Sequence, residues 1–501
     1  MLGEVLTWIL DSLGLAGSCL IALVVLLLVF RPGGRPKNFP PGLPMLPLLG
    51  SLPFTKGTVT RSLINSLRKK YGDLASFSIF NERIVLVSNL KTIKEVFSQA
   101  KTAGRPNLFI ITFRNNLLTD GRHSALGILG SSGELWHGQR RFVLRHLRDL
   151  GFGKTSLEPL MVLEVKELMD HIALQRDTPI VMQRFFNRSI INVIWAMVMG
   201  KRYSYDDAKL ATLLKTFIIL SDINFLSPLH FLPGALHLAS YLPGLKHDVK
   251  PLKNITSFIK SELAEFKRDE NAKNSDCLTA LYLREIEEHK GEDSFFHMDQ
   301  LLSVIFEMFL AGSETTSSTL TMAVYLLAKH PEIQKRVHEE LDRVVGRDQL
   351  PSFSQMDQLP YTLATIHEVQ RTFKLIPFSL PHSVTEDITV NGYNIPRGTI
   401  LIANMEDCLK DPALWRNPDA FDPRNFLDDE GKYKRNEAFM PFGSGKRQCV
   451  GEPLARLELF LFFACVMQRF HFYDLVYKPV DNNNPLFSAI PDYTVKAKSR
   501  F

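Results

Sequence analysis

The sequence predicts a mainly α-helical protein with a small β region, and three observations lead to this fold class. Most regularly patterned segments repeat their apolar residues at helical spacing, and the longest of them covers residues 299–330. Strand-like patterns are short and lie at 74–88 and 383–404. No Pro/Gly/Ser-rich linker interrupts residues 60–501, and hydrophobic residues make up 45% of the chain, so we expect one large unit with a sizeable core.

The individual helices are predicted in chain order from their periodicity and boundary residues. Helical segments are expected at 61–71, 91–100, 135–147, 157–173, 189–218, 299–330, 331–345, 361–373 and 453–470. Asp299 is the expected N-cap of the longest helix, and Pro331 ends that helix. Segment 453–470 is almost wholly apolar, which predicts a deeply buried helix.

Two turn signals define the predicted strands. Residues 74–88 alternate apolar and polar side chains like a hairpin, with Asn81 and Glu82 at its turn. The second signal is the pair Asn391-Gly392, which is typical of a tight hairpin turn between short strands.

The composition limits the classes of partner. A net charge of +6 is mild for 501 residues. It favours anionic membrane surfaces or acidic partners and falls short of a nucleic-acid footprint, so no nucleic-acid partner is expected. The five cysteines are far apart and form no C-x-x-C pair, which argues against a disulfide framework or a zinc site. Reduced thiols are typical of a domain that faces the cytosol.

The N-terminal segment predicts a membrane anchor. Residues 13–30 form an uncharged run of 18 residues that, with the apolar residues ahead of it, can span a hydrocarbon core of ~30 Å. Basic residues follow this run and acidic residues precede it, which places the C-terminal side in the cytosol. We therefore divide the chain into an anchor at 1–30, a proline-rich hinge at 31–50 and a main domain at 51–501. A cleaved signal peptide is the alternative, but no basic region precedes the apolar run.

A second apolar segment, at residues 223–245, is broken by prolines. Because exposed apolar patches mark interfaces, we expect this segment to touch the membrane and to form a substrate entry lip. Ordinary packing of short helices is the alternative.

Residues 442–451 read F-G-S-G-K-R-Q-C-V-G and are the most informative stretch of the chain. Cys449 lies after a glycine-punctuated turn and before an apolar helix, where a thiolate can ligate a metal from one side with helix amides behind it. Gly443 and Gly445 allow positive φ and close backbone approach. Gly451 leaves room for a large, flat group against the start of the helix.

Two other interpretations of this stretch agree less well with the residues. A lone cysteine in an apolar chain is usually a small buried hydrophobe. A phosphate-binding loop needs a glycine and a Ser or Thr at the places that Met440 and Arg447 occupy.

The spacing F-x-x-G-x-R-x-C-x-G resembles the haem-binding signature of the cytochrome P450 superfamily and matches it at every fixed position, namely Phe442, Gly445, Arg447, Cys449 and Gly451. The resemblance implies a cytochrome P450 fold that binds haem b, with the Cys449 sulfur as the proximal ligand of the iron. It extends from residue ~35 to the end of the chain. Within the superfamily the chain is similar to microsomal (class II) members of clan 2.

The middle of the longest predicted helix reads A-G-S-E-T-T-S-S-T over residues 311–319. Ser and Thr suit a helix interior poorly, so this run predicts a bulge or groove that frees carbonyl groups. The run resembles the family's oxygen-activation motif. The resemblance implies that Thr315 contacts the oxygen that is activated, that Glu314 passes protons from solvent, and that Ala311 lies beside the haem. A plain polar helix face is the alternative.

Glu368 and Arg371 form a further family-like motif, E-x-x-R, on a predicted helix. Alone they would be an ordinary i, i+3 salt bridge. The resemblance implies a structural pair that locks the scaffold on the cysteine side of the haem. The family's third partner is the arginine of P-x-R-F, but here Asn425 has that position and Arg424 lies one step early, so the third contact stays open.

Haem carries two propionates, which need cations or hydrogen-bond donors. Trp136 and Arg140 are four residues apart and therefore share one helix face. The resemblance implies that both contact propionates, together with Arg105, His382 and Arg447. Solvent exposure is the alternative for each basic residue, and a turn contact is the alternative for His382.

Family position also implies an apolar pocket and a basic docking surface. The pocket suits a lipophilic substrate, and its expected lining is 109–113, Phe306, Phe309, Leu310, Ala311, 376–380 and 486–490. The docking surface suits an acidic electron donor and consists of Arg140, Arg141, Arg145, His146, Arg148 and Lys446. A plain basic surface helix is the alternative.

The function that the resemblance implies is a haem-thiolate monooxygenase. One oxygen atom from O2 would enter a lipophilic substrate by hydroxylation or epoxidation, with electrons from NADPH-cytochrome P450 reductase and with cytochrome b5 as a further candidate partner. The expected location is the endoplasmic reticulum membrane, single-pass, with the catalytic domain in the cytosol. Two alternatives remain: a haem-thiolate isomerase or dehydratase, which needs no external electrons, and a non-catalytic haem-binding sensor.

Overall fold

The computed structural model describes residues 35–501 and residues 14, 17 and 19, except residues 57, 122–124, 152–153, 176, 206, 215–225, 232–242, 292–293, 481–483 and 485 and the side chains of 243–249. Within this part of the chain, no helix combines the length and the apolar character needed to cross a bilayer. Almost all of the anchor expected at 1–30 and most of the apolar segment 223–245 lie outside the described residues, so both stay predictions.

Helices dominate the fold, as the sequence predicts. The described helices of seven or more residues are α1 (Arg61–Tyr71), α2 (Leu90–Ser98), α3 (Phe109–Thr119), α4 (Gly133–Asp149), α5 (Glu158–Ala173), α6 (Asn187–Met199), α7 (Ala208–Leu214), α8 (Pro243–Arg268), α9 (Leu278–Glu288), α10 (Met298–Lys329), α11 (Pro331–Val344), α12 (Pro360–Phe373) and α13 (Glu452–Arg469). The described strands are β1 (Leu74–Ile79), β2 (Glu82–Val87), β3 (Ile180–Val181), β4 (His382–Ser383), β5 (Ile388–Val390), β6 (Tyr393–Ile395), β7 (Ile400–Ala403), β8 (Phe470–Lys478) and β9 (Asp492–Ser499).

The strands form small sheets with the orders β1-β2-β7-β4, β3-β9-β8 and β5-β6. β1 and β2 make the predicted antiparallel hairpin, and β7 joins β2 in parallel. Asn391 and Gly392 connect β5 and β6 with φ values of 48° and 80°, the left-handed backbone that the predicted tight turn requires.

The structure corrects several predictions of secondary structure. The helix expected at 189–218 is interrupted, because α6 ends at Met199, Gly200 follows as its cap with a φ of 65°, and helix resumes at Ala208. Asp299 is not the N-cap of α10; His297 has that position, and Asp299 lies in the first turn. The sequence interpretation also missed α3, α8, α9 and the C-terminal hairpin of β8 and β9.

Two buried helices run through the core and position the functional residues. α10 packs on α6, α12, α13 and β8 and buries most of its side chains. α13 is almost wholly apolar, as predicted, and is enclosed by α5, α10, α11 and α12. Because α13 begins at Glu452, the loop that carries Cys449 is fixed at the end of a buried helix.

Candidate functional site

The Cys449 loop has the glycine-dependent shape that the sequence predicts. Gly443 and Gly445 have φ values of 77° and 79°. A Cβ atom at Gly445 would overlap the carbonyl oxygen of Phe97 in α2, so a larger residue does not fit there. After a short 3-10 turn, the Cys449 N–H donates to the Phe442 carbonyl at 2.9 Å. The loop therefore rests on α2 and closes on itself before α13 begins.

The Cys449 sulfur lies deep in the protein and yet has accessible surface. A thiol that is deep in the protein and still accessible must face an internal space. Desolvation and the charge of Glu452 raise the pKa of Cys449, and the N–H groups of Gly451 and Glu452 and the charge of Arg140 oppose this increase. Of the described atoms outside its chain neighbours, a Cβ atom at Gly451 would touch only the Cys449 sulfur, at 3.6 Å, so the helix start leaves space beside the thiol. Two amides and a guanidinium are thus placed to stabilise a thiolate.

The polar run of α10 is accommodated without the bulge that the sequence predicts, because α10 is continuous from Met298 to Lys329. Four of its hydroxyls donate to carbonyls four residues earlier, in the pairs Ser313–Phe309, Thr315–Ala311, Ser317–Ser313 and Thr319–Thr315. Such back-bonding satisfies these four hydroxyls inside a regular helix. The expectation of a bulge was therefore wrong.

Ala311 and Thr315 share one accessible turn of α10. Ala311 is exposed although Phe309 and Ser313 on either side are buried, as expected of a residue that faces an internal space. Thr315 Oγ1 donates to the Ala311 carbonyl at 2.8 Å, so the hydroxyl lies along the same turn.

Glu314 is an acid that can exchange protons near neutral pH. Its carboxylate accepts a hydrogen bond from Asn187 Nδ2 at 3.0 Å. Burial raises the pKa of Glu314 to about 7, while the Asn187 bond and the Arg184 charge oppose this increase. A pKa near the working pH is what a proton-transfer group needs.

Glu368 and Arg371 form a buried ion pair on α12, with 0% and 1% of their side chains exposed. Nε and Nη2 of Arg371 each lie 2.7 Å from a Glu368 oxygen. The other donors of Arg371 bond the carbonyls of Leu409, Pro418 and Ala420. The pair ties α12 to the loop that carries these carbonyls, which agrees with a structural role.

Asn425 makes the third contact that the sequence left open. Its Nδ2 donates to Glu368 Oε1 at 3.2 Å and to the Asn417 carbonyl at 3.1 Å. Arg424 points elsewhere, because its side chain is 60% exposed and pairs with Asp422. A neutral amide therefore stands where the family motif has an arginine.

Three arginines that the resemblance assigned to propionates lie close together, and we call Arg105, Arg140 and Arg447 the arginine cluster. Backbone carbonyls hold the three side chains: those of Leu129 and Pro381 bind Arg105, that of Gln448 binds Arg140, and those of Ala103, Ile128 and Ser131 bind Arg447. The Arg447 guanidinium carbon also stacks over Trp136, 3.9 Å from the ring centroid.

The arginine cluster fits an anionic group with two carboxylates. Burial and the neighbouring Arg105 and Arg140 lower the pKa of Arg447, which indicates an excess of positive charge. Trp136 Nε1 is buried and has no hydrogen-bond partner in the described structure. Two propionates would relieve the repulsion and could accept from the indole, so these residues fit haem.

His382 lies in the same region, and one of its ring nitrogens is already bonded to the backbone. Nδ1 lies 2.8 Å from the Thr102 carbonyl, which can only accept, so Nδ1 must carry the proton. Burial and then Arg105 lower the pKa of His382 well below its usual value. The neutral ring offers Nε2 as an acceptor, and it packs edge-on against Phe97 at 4.6 Å. We interpret His382 as a residue that positions α2 against β4.

Glu307 and Arg114 are a buried pair that the sequence interpretation missed. Arg114 Nη1 lies 2.9 Å from Glu307 Oε1. Glu307 Oε2 accepts the N–H groups of residues 128 and 129 at 2.6 and 3.0 Å. One carboxylate thus holds, from the α10 side, the loop that the arginine cluster holds through its carbonyls. The available signal was an acid in an apolar helical stretch, one turn before Ala311.

The predicted pocket lining needs correction at three phenylalanines, because Phe306, Phe309 and Phe378 are fully buried. Phe309 is fully buried, and its ring packs against Trp195 and Phe258 at centroid distances of 4.8 and 5.7 Å, so it belongs to the core. Leu310 and Ala311 on the same helix keep accessible surface. Helix α3, which contains residues 109–113, packs on α10.

The predicted docking surface contains fewer exposed basic residues than expected. Arg141, Arg145, Arg148 and Lys446 are exposed. Arg140 turns inward to the Gln448 carbonyl at 2.7 Å, so it belongs to the arginine cluster.

Comparisons with known proteins agree with the family that the sequence motifs predict. The Cytochrome P450 family model matches residues 40–496. The chain is 36% identical over 478 residues to cytochrome P450 2D26 of Rattus norvegicus, covering 94% of each protein. It is 36% identical over 448 residues to cytochrome P450 2J2 of Homo sapiens, covering 87% of this chain and 86% of that protein. It is 32% identical over 485 residues to cytochrome P450 2L1 of Panulirus argus, covering 93% and 96%.

The mainly helical fold and the cysteine loop define a haem-thiolate oxidoreductase. The chain belongs to the cytochrome P450 family, as the sequence motifs predict. Its cofactor is haem b, and it is a monooxygenase.

Proposed function

We propose that this protein inserts one oxygen atom from O2 into a lipophilic substrate, by hydroxylation or epoxidation, with electrons from NADPH-cytochrome P450 reductase. The observation that carries the proposal is the deep but accessible Cys449 sulfur, which two backbone amides approach from α13. Haem b supplies the oxygen chemistry when it is bound. The chain must then supply a ligand, cations, protons and an apolar pocket.

The residues that would hold haem b surround the Cys449 loop. Cys449 would be the ligand of the iron, and the arginine cluster with Trp136 would bind the propionates. Gly451 and Ala311 would leave room for the flat ring because their side chains are absent or small. Phe442, whose ring lies under Arg456 at 5.5 Å, would support the loop. His382 would position α2 rather than bind the cofactor directly.

Glu314 and Thr315 would bind and transfer the protons that the reaction needs. The pKa of Glu314, about 7, allows its carboxyl to take up and release a proton under working conditions. Thr315 Oγ1 lies on the accessible Ala311 turn, where a hydroxyl can hold a proton close to the reacting atoms.

The apolar side chains expected around Ala311 support a lipophilic substrate. The exposed Arg141, Arg145, Arg148 and Lys446 support an acidic electron donor, and cytochrome b5 is a further candidate for the same surface.

The membrane arrangement follows from the sequence. The apolar run at 13–30 would anchor the protein once in the endoplasmic reticulum membrane. The hinge at 31–50 would connect this anchor to a catalytic domain at 51–501 in the cytosol.

Reconstitution of the full-length protein with purified reductase tests this function. With isotopically labelled O2, one labelled oxygen atom is expected in the product, and its formation should require NADPH. Substrates are found first by the shift of the haem Soret band in a panel of lipophilic compounds. Conversion without NADPH would indicate an isomerase or dehydratase, and binding without turnover would indicate a sensor.

A further inference from the structure

Glu458 is a buried acid that the proposed function does not use. It lies on α13 with 1% of its surface exposed, and its Oε1 has no hydrogen-bond partner among the described residues. Its Oε2 accepts a hydrogen bond from Thr316 Oγ1 on α10 at 3.2 Å. Burial raises the pKa of Glu458 to about 8, with the Thr316 bond opposing, so the carboxyl group is largely protonated at pH 7.

The Thr316 hydroxyl bonds differently from the back-bonded hydroxyls of the same helix. The four back-bonded hydroxyls described above donate to carbonyls within α10. Thr316 donates instead to a side chain of another helix. This bond connects the turn that contains Ala311 and Thr315 to α13, the helix that begins directly after Cys449.

Space filling does not explain a glutamate at this position. A leucine would fill a similar volume without the cost of burying a carboxyl group whose second oxygen has no hydrogen-bond partner among the described residues. Apolar contacts between two helices are also non-directional. A hydrogen bond, by contrast, fixes one side chain against another in distance and angle.

We infer that Glu458 is a positioning residue: through Thr316 it holds the Ala311–Thr315 turn in place relative to the helix that carries Cys449. The inference rests on the proposed roles of Cys449 and Thr315. When the contact is lost, the Thr315 hydroxyl is misplaced and delivers its proton less often to the productive reaction. More of the O2 then takes two electrons from NADPH and two protons and leaves as hydrogen peroxide.

The experiment compares matched variants of the full-length protein reconstituted with reductase. Thr316→Val and Glu458→Leu each remove the bond, and product formed per NADPH should fall by about two- to tenfold, the worth of one hydrogen bond. Hydrogen peroxide should rise correspondingly. Glu458→Gln keeps an acceptor and should restore most of the coupling. Thr319→Val is the control, because the Thr319 hydroxyl bonds within α10.

A second readout is independent of activity. Hydrogen exchange of the α10 segment 311–320 should become faster in Glu458→Leu and Thr316→Val and stay slow in Glu458→Gln and Thr319→Val. The double variant should be no worse than the more severe single variant, because both remove the same bond.

Unchanged coupling and exchange in Thr316→Val, or purely additive effects in the double variant, would overturn the inference. Thr316→Val and Glu458→Gln carry the test if Glu458→Leu does not fold. A different result would refute the proposed function itself: the thiolate absorption band would then be absent from the reduced, carbon monoxide-treated wild type.

Discussion

Asn425 donates its side-chain amide to Glu368 Oε1 at 3.2 Å, at the position where the family motif has an arginine. The Asp422 N–H donates to the same oxygen at 2.9 Å. Glu368 is therefore paired with one charged partner, Arg371, and with neutral donors. The scaffold on the cysteine side keeps its third contact without a third charge.

Replacement of Asn425 by alanine should lower the free energy of unfolding by about 1 kcal/mol, because a buried carboxylate loses a hydrogen bond. The control is Arg424→Ala, which removes a solvent-exposed ion pair and should lower the free energy of unfolding less than Asn425→Ala does. Urea denaturation of the haem-loaded proteins measures both changes. A larger effect of Arg424→Ala would mean that the neighbouring arginine makes the third contact.

Replacement of Cys449 by serine should abolish the thiolate absorption band of the reduced, carbon monoxide-bound protein, because a hydroxyl is not a thiolate ligand. Cys465→Ala changes a buried cysteine on α13 and should keep the band. A band that persists in Cys449→Ser would mean that a different cysteine is the ligand.

Replacement of Glu314 by glutamine should change how stability depends on pH. Burial raises the pKa of Glu314 from 4.5 to about 7 in the folded protein. As pH rises between these values, the unfolded chain loses this proton while the folded protein keeps it, so the wild type loses stability. The glutamine variant should become progressively more stable relative to wild type over this interval, with no further change above about pH 7. Thermal unfolding midpoints measured across the interval test this, and a difference independent of pH would contradict it.

Replacement of Gly127 by alanine tests the contact of its loop with Glu307. Gly127 has a φ of 73°, and an added Cβ atom would overlap the Glu307 carboxylate. Gly121 is a matched control, because its φ is 85° but no described residue lies within 4 Å of its Cβ position. Gly127→Ala should cost about 1–3 kcal/mol of unfolding free energy more than Gly121→Ala. It should also speed haem loss, measured by transfer to apomyoglobin. Equal losses of unfolding free energy in the two variants would show that backbone strain alone, and not the contact with Glu307, determines the effect.

Much of the fold could be predicted from the sequence because periodicity and boundary residues are local. α1 matches its predicted bounds, and α10 has its predicted length with a shift of one residue. The break at Gly200 did carry a local signal that the helix prediction did not use, because a glycine followed by the polar run K-R-Y-S-Y-D-D is typical of the end of a helix. The hairpin of β8 and β9 was missed because residues such as Val476, 64% exposed, do not follow a buried-face pattern.

For the candidate site as well, local motifs could be predicted from the sequence and long-range contacts could not. Cys449 and Gly445 belong to one short motif, so their arrangement could be predicted. Arg105 joins the arginine cluster through the carbonyls of Leu129 and Pro381, which are distant in sequence. Glu307 is bound by amides of a loop about 180 residues away in the sequence. A local sequence pattern cannot predict a contact between residues so far apart.

Gly445 abuts the carbonyl of Phe97, so the cysteine loop reaches its final shape only after α2 has docked against it. Helix α2 is synthesised early and the cysteine loop late, so these two segments must come together before the Cys449 sulfur has its final position. Cofactor capture should therefore come late in folding. During refolding with haem present, the thiolate spectrum should appear after helix formation is complete.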